Sequence, residues 1–172
     1  TLSRKGLISA MRLFCDQRAV QVNVVGYQFP FHPLKTIYDN NWLMVRIQLS
    51  EGVLTYSFDD PCMTSLELED LVRGLENVAK GRTVESEAQF IEPYMRLHTH
   101  RCVGGILVNL GVALTAEEDD PDFVELQEQL EGNDWERFWV SAILSDQDFG
   151  VMTQKFREMA ERFPIRWPPK DD

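Results

Sequence analysis

The sequence from 41 to 60 alternates apolar and polar side chains on both sides of a short turn. In its first half Val45 and Ile47 fall on one side, and in its second half Tyr56 falls on the matching side. This pattern predicts an antiparallel β-hairpin with one buried face, closed by a three-residue turn at Ser50–Gly52.

The same alternation predicts strands in other parts of the chain. Gly26 interrupts one of these patterns between two apolar residues, which indicates a bulge in that strand. The prolines around residue 30 favour a loop over 31–40. The remaining predicted strands are Met11 to Cys15, Ala19 to Phe29, Glu87 to Ile91, Tyr94 to His100, Val103 to Leu114 and 134 to 145.

Two stretches instead repeat their apolar residues with helical spacing. The first covers 65–80, and the pair Thr64 and Glu67 has the spacing of a capping box at its start. The second covers 147–163, with Asp146 as its predicted N-cap. We expect the acidic residues opposite the apolar stripe of the first helix to be solvated: Glu67, Glu69, Asp70 and Glu76.

These elements predict an α+β fold in a single domain that covers 1–172. The fold class is an antiparallel, mostly meander β-sheet with two amphipathic helices packed side by side on one face, plus a short acidic helical insertion. We expect residues 1–10 to form a loose N-terminal arm. Residues 165–172 are rich in proline and predict an extended tail that Trp167 anchors.

The overall charge restricts the class of partner. The chain has 172 residues, with 17 basic and 28 acidic side chains, and a net charge of −11. Such a charge disfavours nucleic-acid binding and favours a basic protein partner. The three cysteines lie at spacings that fit reduced thiols in a cytoplasmic protein, and no apolar run is long enough for a membrane span.

Much of the excess charge lies in one insertion, the segment 115–134. It contains nine acidic residues and no lysine or arginine, and Pro121 favours the start of a short helix there. Two interpretations remain open for this segment, a solvated excursion between strands or a docking surface for a basic protein. Trp139 follows closely and either covers a sheet edge or is available to the partner. The candidate partner-binding residues are Glu117, Glu118, Asp119, Asp120, Asp122, Glu125, Glu128 and Trp139.

The one pattern that suggests a metal site is His98, His100 and Cys102, because alternate residues of a strand share a face. We expect the chain to turn near Arg101, which would separate Cys102 from the histidines. Solvated histidines are therefore the preferred interpretation, and we predict no bound metal and no cofactor.

Signals for an enzyme are weak elsewhere in the chain. A cysteine nucleophile needs a nearby histidine and an electropositive setting, and the sequence supplies neither for Cys15, Cys62 or Cys102. Gly104–Gly105 lacks the lysine and the following helix of a phosphate-binding loop. We expect no catalytic activity.

Four short motifs occur in the order found in the WapI-type family of bacterial immunity proteins, which the chain resembles from Val20 to about Pro164. They are VGYQFP at Val25–Pro30, DNNWLMVRI at Asp39–Ile47, EP at Glu92–Pro93 and RFP at Arg162–Pro164. The resemblance implies a non-catalytic protein that protects a bacterium from a polymorphic toxin of its own kind by binding the toxin domain. Occlusion of the toxin's active or substrate-binding site is the expected mechanism.

The chain departs from the family pattern in its acidic insertion and in extra residues at both ends, which leaves the partner and the interface open. If the insertion is only solvated surface, the open sheet face near Tyr94, Arg96 and Trp139 is the expected interface. An acidic chaperone or adaptor for a secreted effector is the alternative function. A metal-dependent enzyme is a further and weaker alternative.

Overall fold

The first four strands form an antiparallel meander in which each strand pairs with the next along the chain. These strands are β1 (Met11–Cys15), β2 (Arg18–Tyr27), β3 (Trp42–Glu51) and β4 (Leu54–Thr64). The structure is a computed structural model of the chain, and it describes residues 10–30, 36–88, 90–92, 94–113 and 137–167.

The next four strands form a second antiparallel meander. These strands are β5 (Glu85–Ala88), β6 (Met95–Cys102), β7 (Gly105–Ala113) and β8 (Arg137–Leu144). A long helix follows each meander, so the chain runs through the order of four strands and a helix twice. The predicted α+β class and the antiparallel pairing are confirmed.

Three helices lie within the described residues: α1 (Ile37–Asn41), α2 (Ser65–Ala79) and α3 (Asp146–Arg162). The helix α1 occupies part of the stretch predicted as a loop, so that prediction was wrong for its last residues. Its N-cap Thr36 accepts a hydrogen bond from the backbone of Asp39, a local signal that the nearby prolines obscured.

The hairpin of β3 and β4 is confirmed, but its turn is shorter than predicted. Glu51 still pairs with Leu54, which leaves a two-residue loop of Gly52 and Val53. Gly52 has a φ of +59°, which a residue without a Cβ adopts at no steric cost. The bulge predicted in β2 is also present, because the register shifts between Val24 and Gly26.

The capping box of α2 is confirmed, since Thr64 and Glu67 bond each other's backbone amide in both directions. For α3 the predicted N-cap was wrong by one residue. The side chain of Ser145 accepts the bond from the amide of Asp148, and Asp146 is already the first helical residue.

The helices α2 and α3 pack against each other, as predicted, and charged pairs join them along one side. Arg157 of α3 donates to Glu69 at 2.8 Å and to Glu76 at 3.0 Å, so these two glutamates are not the solvated residues that we expected. Arg101 of β6 adds a second link, because it donates to the Val78 carbonyl of α2 and to Asp146 of α3.

The start of the C-terminal tail is anchored by Arg166 rather than by Trp167, which is 71% exposed. The guanidinium of Arg166 lies 3.7 Å from the centre of the Tyr27 ring and donates to the Asn40 carbonyl. The backbone of Arg166 exchanges two hydrogen bonds with the buried side-chain amide of Asn41. The buried side-chain amide of Asn41 needs hydrogen-bond partners, and its bonds to the backbone of Arg166 hold the start of the tail in place.

One continuous hydrophobic core joins both sheets and both long helices. Ile47 and Val22 come from the first sheet, Leu110 from the second, and Leu71 and Phe156 from α2 and α3. The strands are divided between two sheets, where the sequence had suggested one. The division follows from α2, which separates β4 from β5 and prevents the direct hairpin that would have continued the first meander.

Candidate partner-binding surface

The candidate surface is the side of the second sheet that faces away from the core. Strand alternation and the register of β5 to β8 decide its members, because directly paired residues share a face. We call this set the second outer face: Glu85, Glu87, Arg96, His98, His100, Leu107, Asn109, Gly111, Trp139, Ser141 and Ile143.

The β7 and β8 side of this face carries its larger apolar groups. Trp139 pairs with Gly111 and is partly buried, and Ile143 pairs with Leu107 and is 58% exposed. Ser141 lies between Trp139 and Ile143 on the same strand and is exposed. An exposed branched apolar residue on the same strand face as a tryptophan is typical of surfaces that bind another protein.

The β5 and β6 side is polar and titratable. Arg96 forms an ion pair with Glu87 at 2.7 Å. One carboxylate oxygen of Glu85 lies 3.7 Å from Nε2 of His98 and 3.6 Å from Nδ1 of His100. Sequence reasoning began this strand at Glu87, two residues too late, so it left out Glu85 and did not connect Glu87 with the residues of β6. The alternation from Val84 to Ala88 would have revealed the earlier start of the strand.

The strand β6 does not turn near Arg101 as expected, because its pairing continues to Cys102 opposite Gly105. Cys102 therefore follows His98 and His100 on the same side of the strand. Within the described residues, however, no three side chains of the metal-binding types come close enough to hold an ion. The two imidazole rings stack with their centres 6.4 Å apart.

The cysteines lie in three different environments and all are free thiols: Cys15 is exposed, Cys102 is half-buried and Cys62 is buried. Burial, together with the nearby charge of Asp60, raises the pKa of Cys62 to about 12. A thiol with that pKa stays protonated at neutral pH and is a poor nucleophile.

A cavity of about 480 Å³ opens beside Trp139, where β8 meets the turn between β1 and β2. The ion pair of Arg18 and Glu51, 2.5 Å long, forms part of its wall. Arg18 also stacks on the Phe138 ring at 5.3 Å, which fixes the guanidinium in place. Trp139 therefore borders both the second outer face and a cleft between the two sheets.

The other candidate residues lie outside the described part of the chain: Glu117, Glu118, Asp119, Asp120, Asp122, Glu125 and Glu128. The described strands show where the acidic segment joins the fold. Ala113 ends β7, Arg137 begins β8, and these two residues pair with each other. Both ends of the segment are therefore attached at the same end of the β7–β8 pair, where Arg137 is two residues from Trp139.

Among the described residues, no helix has the length and apolar character needed to cross a membrane.

Comparison with known proteins gives one decisive match. The model of the family described as the immunity protein WapI-like family matches residues 12–164. No curated protein matches the chain. Among solved structures, WHY1 from Arabidopsis thaliana aligns over 90% of this chain and 89% of its own, with 12% identity and a TM-score of 0.46, which is too low to indicate a shared function. The family match covers both sheets and all three described helices, and the chain belongs to the immunity protein WapI-like family.

Proposed function

We propose that this protein neutralises a cognate antibacterial toxin in the cytoplasm by binding the toxin domain and occluding its active or substrate-binding site. The observation that carries the proposal is the family match over residues 12–164. Immunity proteins of this family act on a toxin as partner, so the proposed mechanism is stoichiometric and needs no catalysis. The high pKa of Cys62 agrees with a protein that has no activated thiol at that position.

The proposed interface combines the acidic segment with Trp139 of the second outer face. Seven carboxylates of the segment are the proposed contacts: Glu117, Glu118, Asp119, Asp120, Asp122, Glu125 and Glu128. The pairing of Ala113 with Arg137 supports this combination, because it attaches both ends of the segment beside Trp139. An apolar anchor next to a dense block of charge is a common composition for a specific interface.

The proposed toxin surface is basic, and an RNA- or nucleotide-binding cleft is the kind that fits best. A toxin that handles phosphates needs cations in its site, and carboxylates placed there compete with the substrate. Charges at the rim mainly raise the association rate, whereas a desolvated charge pair costs about 2–5 kcal/mol when one partner is removed. Occlusion then protects the producing cell without any chemical step.

The test replaces Asp119, Asp120, Asp122, Glu125 and Glu128 with the corresponding amides. The variant is compared with wild type for binding of the cognate toxin domain, at low and at physiological salt. We expect weaker binding and a flatter salt dependence, because fewer charges attract the partner. A variant with Glu158→Gln and Glu161→Gln on α3 neutralises two carboxylates outside the proposed interface and should leave the affinity unchanged.

Unchanged affinity together with unchanged protection of toxin-expressing cells would move the interface to the second outer face near Tyr94, Arg96 and Trp139. A wild-type protein that binds only an unfolded segment of a secreted effector, and leaves a folded toxin active, would instead identify an export chaperone.

A further inference from the structure

A second cavity, of about 290 Å³, lies between the two sheets, away from Trp139. Gln28, Trp42 and Pro61 line it from the first sheet side, and Glu92 and Tyr94 line it from the segment that enters β6. The backbone amide of Gln28 donates to the Trp42 carbonyl at 2.8 Å, which joins the two residues on one wall. Two aromatic side chains and one carboxylate therefore face a space of the size of a single side chain.

The opposite wall of this cavity is held by the start of α2. The carboxylate of Glu67, which caps α2, also accepts a hydrogen bond from the backbone amide of Ile91. The amide of Tyr94 donates to the Glu92 carbonyl at 2.9 Å, and the Tyr94 carbonyl accepts from Ala113 at 2.7 Å. The segment that carries Glu92 is therefore fixed to the rest of the fold, which lowers the entropic cost of binding there.

The cavity carries the negative charge of Glu92, and a second carboxylate, Asp60, lies beside its lining residue Pro61. Asp60 precedes Pro61 in β4. Burial, and to a smaller extent the nearby charge of Glu92, raises the pKa of Asp60. Asp60 is also the main cause of the raised pKa of Tyr94. In the described ranges, no lysine or arginine forms an ion pair with Asp60 or Glu92. A cation from outside would relieve this repulsion.

We propose that this cavity receives an arginine side chain of the toxin. The inference rests on the proposed function and names the chemistry of one contact. A guanidinium is planar, so it stacks on rings such as those of Trp42 and Tyr94 while its N–H groups donate to the carboxylate of Glu92, and the charge of Asp60 beside the cavity adds to the attraction. An ammonium group is more strongly hydrated and does not stack, so lysine fits the two aromatic walls less well. Arginine and aromatic residues are also the side chains that most often dominate binding energy at interfaces.

The first test uses the isolated protein and a small probe, N-acetyl-L-arginine amide, followed by NMR shifts of the Trp42 indole and the Tyr94 backbone. We expect saturable shifts at both residues. The citrulline analogue keeps the shape and loses the charge, and we expect it to give no shift. The lysine analogue should bind several-fold more weakly than the arginine probe. Absence of shifts at Trp42 and Tyr94, or equal shifts from the citrulline or lysine analogue, would overturn the assignment.

The second test removes the two carboxylates by Asp60→Asn and Glu92→Gln, which keep the size of the side chains. We expect about tenfold weaker binding of the arginine probe and of the cognate toxin domain. Glu158→Gln with Glu161→Gln on α3 makes the same change of net charge elsewhere and should leave both affinities unchanged. Thermal unfolding of both variants shows that the fold is intact.

These two tests separate the inference from the proposed function. If the toxin binds the wild type and the double variant equally well, the arginine pocket is wrong and the immunity function stands. If the toxin does not bind the wild type at all, the proposed function fails, and the probe titration still decides whether the cavity selects a guanidinium.

Discussion

The two sheets of this protein are alike on their inner faces and differ on their outer faces. Inside, each meander contributes alternate apolar residues to one common core. We call the outward set of the first sheet the first outer face: Arg12, Phe14, Gln21, Asn23, Arg46, Gln48, Ser50, Thr55, Ser57 and Asp59.

The first outer face is dominated by uncharged polar side chains. Gln21 pairs with Gln48 across the strands, and Arg46 forms an ion pair with Asp59 at 2.7 Å. With Arg12 included, this face carries one more positive than negative charge. The second outer face carries Glu85, Glu87, Arg96 and two histidines, and its end at Ala113 and Arg137 is where the acidic segment joins the sheet.

The inner and outer faces of a β-sheet therefore meet different requirements. The inner pattern is set by the need to bury apolar area, and both meanders satisfy it in the same way. The outer face does not have to bury apolar area, so its residues can be used to bind a partner. We expect a basic partner to bind the second outer face, where the acidic segment joins the sheet, rather than the first.

The largest expected effect comes from the core that the sheets share. Phe156 of α3 is 1% exposed, and Phe156→Ala should lower the free energy of unfolding by about 3–5 kcal/mol, through lost burial and the cavity that remains. Both sheets should unfold together in one transition that is monitored by urea denaturation. Val151→Ala, on the exposed side of the same helix, should change the free energy of unfolding by less than about 0.5 kcal/mol. Separate transitions for the two sheets would show that the core is not shared.

The next effect is on toxin binding and uses a matched pair of serines. Ser141 on β8 and Ser57 on β4 are both exposed, and both lie on an edge strand of their sheet. Ser141→Lys should weaken binding of a basic toxin about tenfold, because it places a like charge against the partner. Ser57→Lys should leave the affinity unchanged in the same titration. Equal effects at both positions would contradict the proposed use of the second outer face.

A smaller effect is expected where the helices of the two halves meet. Arg157→Met removes the charge that pairs with Glu69 and Glu76 and should cost about 1 kcal/mol at neutral pH. Arg73→Met on α2, whose pair with Asp70 is exposed and 3.4 Å long, is the control and should cost less.

The pH dependence of this link has a defined sign. The hydrogen bond from Arg157 is the main cause that holds the pKa of Glu76 below its ordinary value of about 4.3. The stabilisation from Glu76 is therefore complete above about pH 4.3 and is lost as the pH falls through the lower folded pKa. Urea unfolding between about pH 2 and pH 5 should show less loss of stability in Arg157→Met than in wild type. An equal loss of stability at low pH in Arg157→Met and in wild type would mean that other carboxylates cause this loss.

The smallest effect concerns Asp60, beside the arginine pocket, and its dependence on pH has the opposite sign to that of Glu76. Burial raises its pKa, so the folded protein holds this proton more tightly than the unfolded chain does. Stability then falls as the pH rises from the unfolded pKa, about 3.9, through the folded one. Asp60→Asn should slightly raise Tm at pH 7, and this gain should disappear at a pH below both values. As the control, Glu161→Gln should not change Tm. A lower Tm for Asp60→Asn than for wild type would mean that the ionised carboxylate of Asp60 stabilises the fold.

Local patterns along the chain were sufficient to predict most of the helices and strands. Thr64 and Glu67 bond each other within one helical turn, so their spacing alone identified the start of α2. The burial of Val45 and Ile47 likewise followed from alternation, because neighbouring residues of a strand point to opposite sides. Ser145 was missed as the cap of α3 because Asp146, an equally good capping residue, stands directly after it.

The sequence by itself determined which residues face the core, where the long helices start, the antiparallel class and the family, since each of these depends on neighbours in the chain or on short motifs. Only the tertiary structure decided that the strands form two sheets and that Arg157 reaches Glu69 and Glu76. It also brought Trp42 and Glu92 into one cavity. These contacts join residues far apart in the chain, and their formation depends on how apolar faces pack in space, which periodicity does not encode.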